Sequence, residues 1–113
     1  SAPCTVVNCT VGELMANPVW WEIATGCTRE AYACGTARQI SFSFDDPVAY
    51  VTAFGANMPD ARPSMLLDHI AGRPSEIDAI NGMVPVLGRE LGIATAYNDT
   101  LCAVVRRHEE AFT

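Results

Sequence analysis

Helix-start signals recur along this chain, while sustained period-two alternation is nearly absent. Asn17-Pro18 and Asp45-Asp46-Pro47 each set a side chain that can accept a hydrogen bond from a free helical N–H just before a proline. At the first helical position proline's missing N–H costs nothing and its fixed φ is already helical. From Pro18, Trp20, Ile23, Ala24, Cys27, Ala31 and Cys34 recur at spacings of three and four, which predicts a helix to about Cys34 stopped at Gly35. A second helix runs from Pro47 through Val48, Val51, Thr52 and Phe54 to Gly55, and a loop follows to Pro63. Ser64 can cap a short helix over 65–71 that Gly72 closes.

Ser75-Glu76-Ile77-Asp78 has the pattern of a capping box and leads into Ile77, Ile80, Met83, Val84, Leu87 and Leu91, so the longest helix is expected here. Pro85 should kink it, with Gly82 and Gly88 letting a neighbouring helix approach, and Gly92 should end it. Asn98 is expected to cap a final helix with Leu101, Val104, Val105, His108 and Phe112 on its apolar face. The only alternating run, Ile40 to Phe44, has no partner strand and reads as an extended connector inserting apolar side chains. The fold class is all-α: one helical bundle over residues 1–113.

Composition narrows the function. Seven arginines and no lysine stand against 13 acids, for a net charge of −6. Such a chain cannot track a phosphate backbone, so no nucleic acid partner is expected. No apolar stretch approaches the roughly 20 residues needed to cross a bilayer, so no membrane span is expected either. The opening Ser1-Ala2-Pro3-Cys4 lacks the basic start and apolar core of an export leader, which reads as cytoplasmic. Five cysteines, an odd number with no Cys-x-x-Cys spacing, and two histidines make no metal set. Reduced thiols packed as small hydrophobes fit best, with Cys27 and Cys34 two turns apart on one helical face.

Among polar residues, Ser64 and Glu76 each fall in a predicted first turn. There a serine caps, and a glutamate complements the helix dipole, without any ligand. Asp68 can pair with Arg73 or Arg62, Asp78 lies on a different face from Glu76, and His69 has no matching nucleophile, so none of the three is read as catalytic. Trp20 and Trp21 cannot share a face; one is expected in the core and the other toward a partner or solvent.

Three blocks carry a family pattern: Pro63-Ser64-Met65-Leu66-Leu67-Asp68; Gly72-Arg73-Pro74-Ser75-Glu76-Ile77-Asp78 running on to Asn81-Gly82; and Gly92-Ile93-Ala94-Thr95 with Asn98-Asp99-Thr100-Leu101. In order and spacing they resemble the C-terminal helical domain of the ketopantoate reductase (2-dehydropantoate 2-reductase) family. Asn8 and the segment from Gly35 to Pro47 extend the likeness over nearly the whole chain. The resemblance implies a bundle like the C-terminal domain of 6-phosphogluconate dehydrogenase-like reductases. In the complete family enzyme that bundle closes over a 2-keto acid, while an N-terminal Rossmann domain binds NADPH.

On that resemblance Ser64 would bind the substrate carboxylate, Asn8 would add a contact, and Glu76 would accept hydrogen bonds from the general acid and the substrate hydroxyl. The family's general-acid lysine falls at Cys4, and with no lysine in the sequence no shift of alignment recovers it. The chain has no Gly-x-Gly-x-x-Gly, so cofactor binding by these residues alone is not expected. The stretch between Asn8 and Gly12 is shorter than in the family, which implies a truncated first helix. The expectation is a substrate-binding and dimerisation domain, inactive alone, with a Rossmann domain as possible partner. The competing reading is a non-catalytic self-association module of the same descent.

Overall fold

The computed structural model describes residues 2–112; Ser1, the first residue of the opening stretch read above for an export leader, lies outside the described residues. They form seven helices and no strand: α1 (Ala2–Val7), α2 (Val11–Ala16), α3 (Pro18–Ala37), α4 (Pro47–Ala56), α5 (Ser64–Ile70), α6 (Met83–Leu91) and α7 (Ala96–Glu109). The all-α bundle expected from the sequence is the fold observed. Both cap-plus-proline signals act as their chemistry dictates: Asn17 Oδ1 accepts from the N–H groups of Val19 and Trp20, each at 3.1 Å, and Asp46 Oδ1 accepts from Ala49 N–H at 3.0 Å. A third start lies at Thr10, whose hydroxyl accepts from Glu13 N–H while Glu13 returns a bond to Thr10 N–H. This reciprocal box lets α2 begin with only three residues between it and the end of α1.

Central α3 touches α2, α4, α6 and α7, while α1 packs on α5 and α7. Met65, Ile77, Leu101, Cys102 and Val105 close the core beneath Ala2 and Cys27. All five cysteines are free, and Cys27 and Cys34 are buried as expected. The connector after α3 carries no strand, as expected, but it does not bury its apolar side chains: Ile40 and Phe42 stay exposed, and Phe42 and Phe44 pack on Tyr32, whose hydroxyl donates to Phe44 O at 3.2 Å.

Several local expectations are corrected. Helix α3 does not stop at Gly35. That residue is buried inside the helix because a Cβ there would lie 2.6 Å from the Phe42 ring, and Gln39, at φ 64°, takes the left-handed position instead. Helix α4 likewise runs through buried Gly55 to Ala56. The stretch from Ser75 is not the longest helix. Residues 76–82 form successive turns in which the carbonyls of Glu76 and Ile77 accept from Ala79, Ile80 and Gly82, and the helix proper begins at Met83. Ser75 caps nothing, since its hydroxyl and its N–H both donate to Glu109.

Pro85 therefore lies in the first turn of α6, where its missing N–H has no helical partner to lose, and it produces no interior kink. Gly88 does mark a close approach, but to the chain's own next turn: a Cβ would meet Thr95 Cγ2 at 2.6 Å and Ile93 O at 2.7 Å. Helix α7 starts at Ala96, so Asn98 is not its cap but a fully buried residue of its first turn, and His108 is exposed rather than on the apolar face. Ser64 opens α5 without a capping hydrogen bond.

Candidate functional site

Between α1, α2, α3 and α4 lies a cavity of about 520 Å³, whose remaining wall is the chain from Met58 to Pro63 together with Ile80, Asn81 and Val84. Cys4 comes from α1, Leu14 from α2, Trp21 and Cys27 from α3, and Phe54 from α4. Among the described residues, no acidic or basic side chain lines it. Trp21 faces this cavity, whereas Trp20 packs against the core cluster, so the two rings divide as the sequence implied.

The polar end of the cavity is a network that sequence reasoning did not identify. Asn98 donates through Nδ2 to Cys27 O at 3.1 Å and to Glu30 Oε1 at 2.8 Å, and its Oδ1 accepts from Asn81 Nδ2 at 2.8 Å. Glu30 also accepts the N–H groups of Tyr97 and Asn98, each at 2.9 Å. A carboxylate from α3 thus caps α7 from outside the helix, which explains why Thr95 makes no side-chain cap. The signal available in the sequence was Asn81-Gly82 within the matched block; the separation of 68 residues between Glu30 and Asn98 could not be read.

Cys4 is 1% exposed, and burial pushes its thiol up to about 11. The neighbouring Cys27 thiol is pushed up to about 12 by burial and then by the charge of Glu30. Near neutral pH both remain uncharged thiols, so neither adds a charge to the cavity wall. Burial likewise raises Cys9, Cys34 and Cys102, the opposite of the shift that activates a thiolate.

Ser64 and Glu76 are both exposed and neither lines the cavity, yet each is anchored to its wall. Ser64 follows the lining residue Pro63, and Glu76 O accepts the N–H of the lining residue Ile80 at 3.1 Å. Asn8 is set apart from Cys4. It lies just past the end of α1 at φ 52° and faces a second cavity of about 680 Å³, with Thr5, Leu66, His69, Arg107 and Phe112. The acids read as non-catalytic make structural bonds: Asp68 pairs with Arg73 at 3.2 Å, and Asp78 with Arg106 at 2.6 Å.

His69 joins Glu109 at 2.8 Å and meets the Phe112 ring edge-on. Glu109 is mostly buried, which raises its pKa, but the bonds from Ser75 and His69 outweigh this and hold it below the usual glutamate value. Because Ser75 and His69 both bond Glu109 Oε2 rather than each other, the group is a staple between the turn at 75 and α7, not a nucleophile with its base.

A dinucleotide's pyrophosphate is held by free backbone N–H groups at a glycine-rich turn between strand and helix. Among the described residues there is no strand, and the first-turn amides of α3, α4 and α7 are already claimed by Asn17, Asp46 and Glu30. Those three helix starts therefore offer no such cradle.

The family model described as "Ketopantoate reductase PanE/ApbA C terminal" matches residues 1–109. A 2-dehydropantoate 2-reductase of Archaeoglobus fulgidus is 34% identical over 106 residues, 94% of this chain and 34% of the relative. One from Streptococcus pyogenes serotype M3 is 29% identical over 110 residues, 96% of this chain and 36% of the relative. The chain thus covers about a third of the length of these curated relatives. A crystal structure of a PanE/ApbA family ketopantoate reductase from Ralstonia eutropha JMP134 superposes with a TM-score of 0.89 at 26% identity, covering 97% of this chain and 37% of that one.

Proposed function

The chain belongs to the ketopantoate reductase C-terminal domain family, and from that premise we propose that it is the substrate-side helical domain of an NADPH-dependent reductase of a small 2-keto acid. The parent reaction would be reduction of 2-dehydropantoate to pantoate in pantothenate biosynthesis. The observation that supports this reading is at the cavity wall, where Pro63, beside Ser64, and Ile80, bonded to Glu76 O, line the same cavity as Cys4 of α1. Ser64 would hydrogen-bond the carboxylate and Glu76 the developing hydroxyl. Asn8, facing the other cavity, is left out of that set.

The dinucleotide and the general acid would come from outside these residues, with a Rossmann domain as partner and a homodimer as the assembly. A cytoplasmic setting accords with five free cysteines and with the finding that no helix among the described residues is long and apolar enough to cross a membrane.

The test is an NADPH-oxidation assay with ketopantoate. No turnover is expected from the 113-residue chain alone, and turnover would show that the proton donor and cofactor seat had been misassigned. Calorimetry with ketopantoate then separates the reading from its rival. The exposed apolar side chains of Tyr50, Phe54 and Met58 favour the rival, a non-catalytic self-association module. A stable dimer by mass that binds no 2-keto acid, even with a Rossmann-domain partner added, would decide for that module.

A further inference from the structure

Two thiols meet where α1 ends. Asn8, at φ 52°, takes the left-handed position that closes the helix, and Cys9 N–H then donates back to Cys4 O at 3.1 Å. This is the six-to-one bond of a Schellman turn, a geometry that sets the side chains of the two bonded residues against each other. Here both are cysteines. With ordinary bond lengths on either side of that 3.1 Å contact, their Cα atoms lie no more than about 7 Å apart, the outer reach of a disulfide. The two thiols hydrogen-bond, an interaction that raises Cys4 and lowers Cys9, and both are free.

They differ in what can reach them. Cys4 is buried, as are Cys27, Cys34 and Cys102, whereas Cys9 is only half-buried at the joint between α1 and α2. Cys9 is therefore the thiol that a reagent in solution meets first. Burial and the charge of Glu13 hold it protonated near neutral pH, and the bond from Cys4 works against both. Reaction runs through a small thiolate fraction, but a thiolate formed at a higher pKa is the stronger nucleophile.

We infer that Cys4 and Cys9 form an oxidisable dithiol, which takes a low-molecular-weight disulfide as its reaction partner and closes into an intramolecular bridge. Cys9 gives its proton to water and attacks one sulfur of the partner R–S–S–R. A Cys9–S–S–R bond forms and RS⁻ leaves, taking up a proton. Cys4 then loses its own proton, attacks the Cys9 sulfur and expels the second RS⁻, which is protonated in turn. The pair of protein thiols is oxidised to a disulfide, and the partner is reduced to two molecules of RSH. Because Cys4 lines the cavity between α1, α2, α3 and α4, closure takes a free thiol off that wall and ties α1 to the segment before α2. This chemistry does not depend on the 2-keto acid reading.

The experiment treats the folded 113-residue chain with oxidised glutathione at about pH 8.5, where an ordinary cysteine is half ionised. After an acid quench, the remaining thiols are alkylated in denaturant and the chain is cleaved after Glu13, which separates Cys4 and Cys9 from the other cysteines. Mass spectrometry is expected to find peptide 1–13 with an internal disulfide and no glutathione, and Cys27, Cys34 and Cys102 alkylated. Cys4→Ser should stall as a glutathione adduct on Cys9. Cys9→Ser should slow modification of Cys4 at least about tenfold, since access limits exchange. If Cys4→Ser does not fold, Cys9→Ser and the mapping on the unaltered chain decide the matter.

Glutathione that stays on Cys9 while Cys4 remains free would overturn the proposal, as would a bridge between Cys27 and Cys102. So would Cys4 reacting as fast in Cys9→Ser as in the unaltered chain, or a folded chain that does not react at all.

Discussion

The two sides of α3 are built on different physics. Toward α7 it presents Glu30 and the carbonyl of Cys27, and these fix Asn98 and the start of the last helix through a connected set of charge-assisted bonds. Toward α4 it presents Trp21, Ala24 and Thr28, and what they face is a cavity lined by no charged side chain among the described residues. Directional bonds with buried partners admit one arrangement, because any slip leaves a polar group unsatisfied. Apolar walls around a cavity carry no such penalty. The difference teaches that directional bonds fix one side of the central helix while the other is held by apolar packing around a volume the helices do not fill.

The largest effect should come from breaking the polar side. Asn98→Leu removes the donor to Cys27 O and Glu30 together with the acceptor for Asn81, and it should destabilise the fold by about 2–3 kcal/mol. Urea unfolding would read this as a lower midpoint at unchanged slope. A loss under 1 kcal/mol would mean that the network is not what orders α7. Next is Gly88→Ala, whose new Cβ would collide with Thr95 and Ile93 O. It should cost about 2 kcal/mol through overpacking at the turn into α7.

How much of this was legible follows from where each interaction sits along the chain. Caps such as Asn17 and Asp46 act within three residues, so their chemistry is visible as local pattern and their helices form where expected. The turns at 76–82 were misread because the Ser75-Glu76-Ile77-Asp78 pattern looks like a local box. Its serine is instead recruited by Glu109, 34 residues away, and a long-range bond displaced the local one. Asn98 was misassigned for the same reason. Of the candidate site, the blocks around Ser64 and Glu76 were readable from their spacing. The cavity was not, since it arises where four helices fail to fill one volume.

Glu109 offers a milder test at the far end of α7. Its pKa is depressed in the folded protein, so its contribution to stability is fully present above the ordinary glutamate value of about 4.3. That contribution is lost as pH falls through the lowered folded value. Glu109→Gln should therefore cost about 1 kcal/mol at pH 7 and flatten the acid limb of stability against pH below about 4. An unchanged acid limb would show that the staple of Ser75, His69 and Glu109 does not contribute to the pH dependence.

The smallest expected effect is the one that tells a cap from a site. Asn17→Ala removes two bonds to first-turn N–H groups and should cost about 1 kcal/mol. Ser64 occupies the corresponding end of α5 but makes no capping bond there, so Ser64→Ala should leave stability within about 0.5 kcal/mol. A serine free of any capping duty, one residue from the cavity wall, has its hydroxyl available for a ligand. The same substitution should then weaken binding of a 2-keto acid several-fold while thermal unfolding stays put. If instead Ser64→Ala lowers stability as much as Asn17→Ala and leaves binding untouched, the residue is a cap after all, and the binding edge of the cavity must be sought at Asn81.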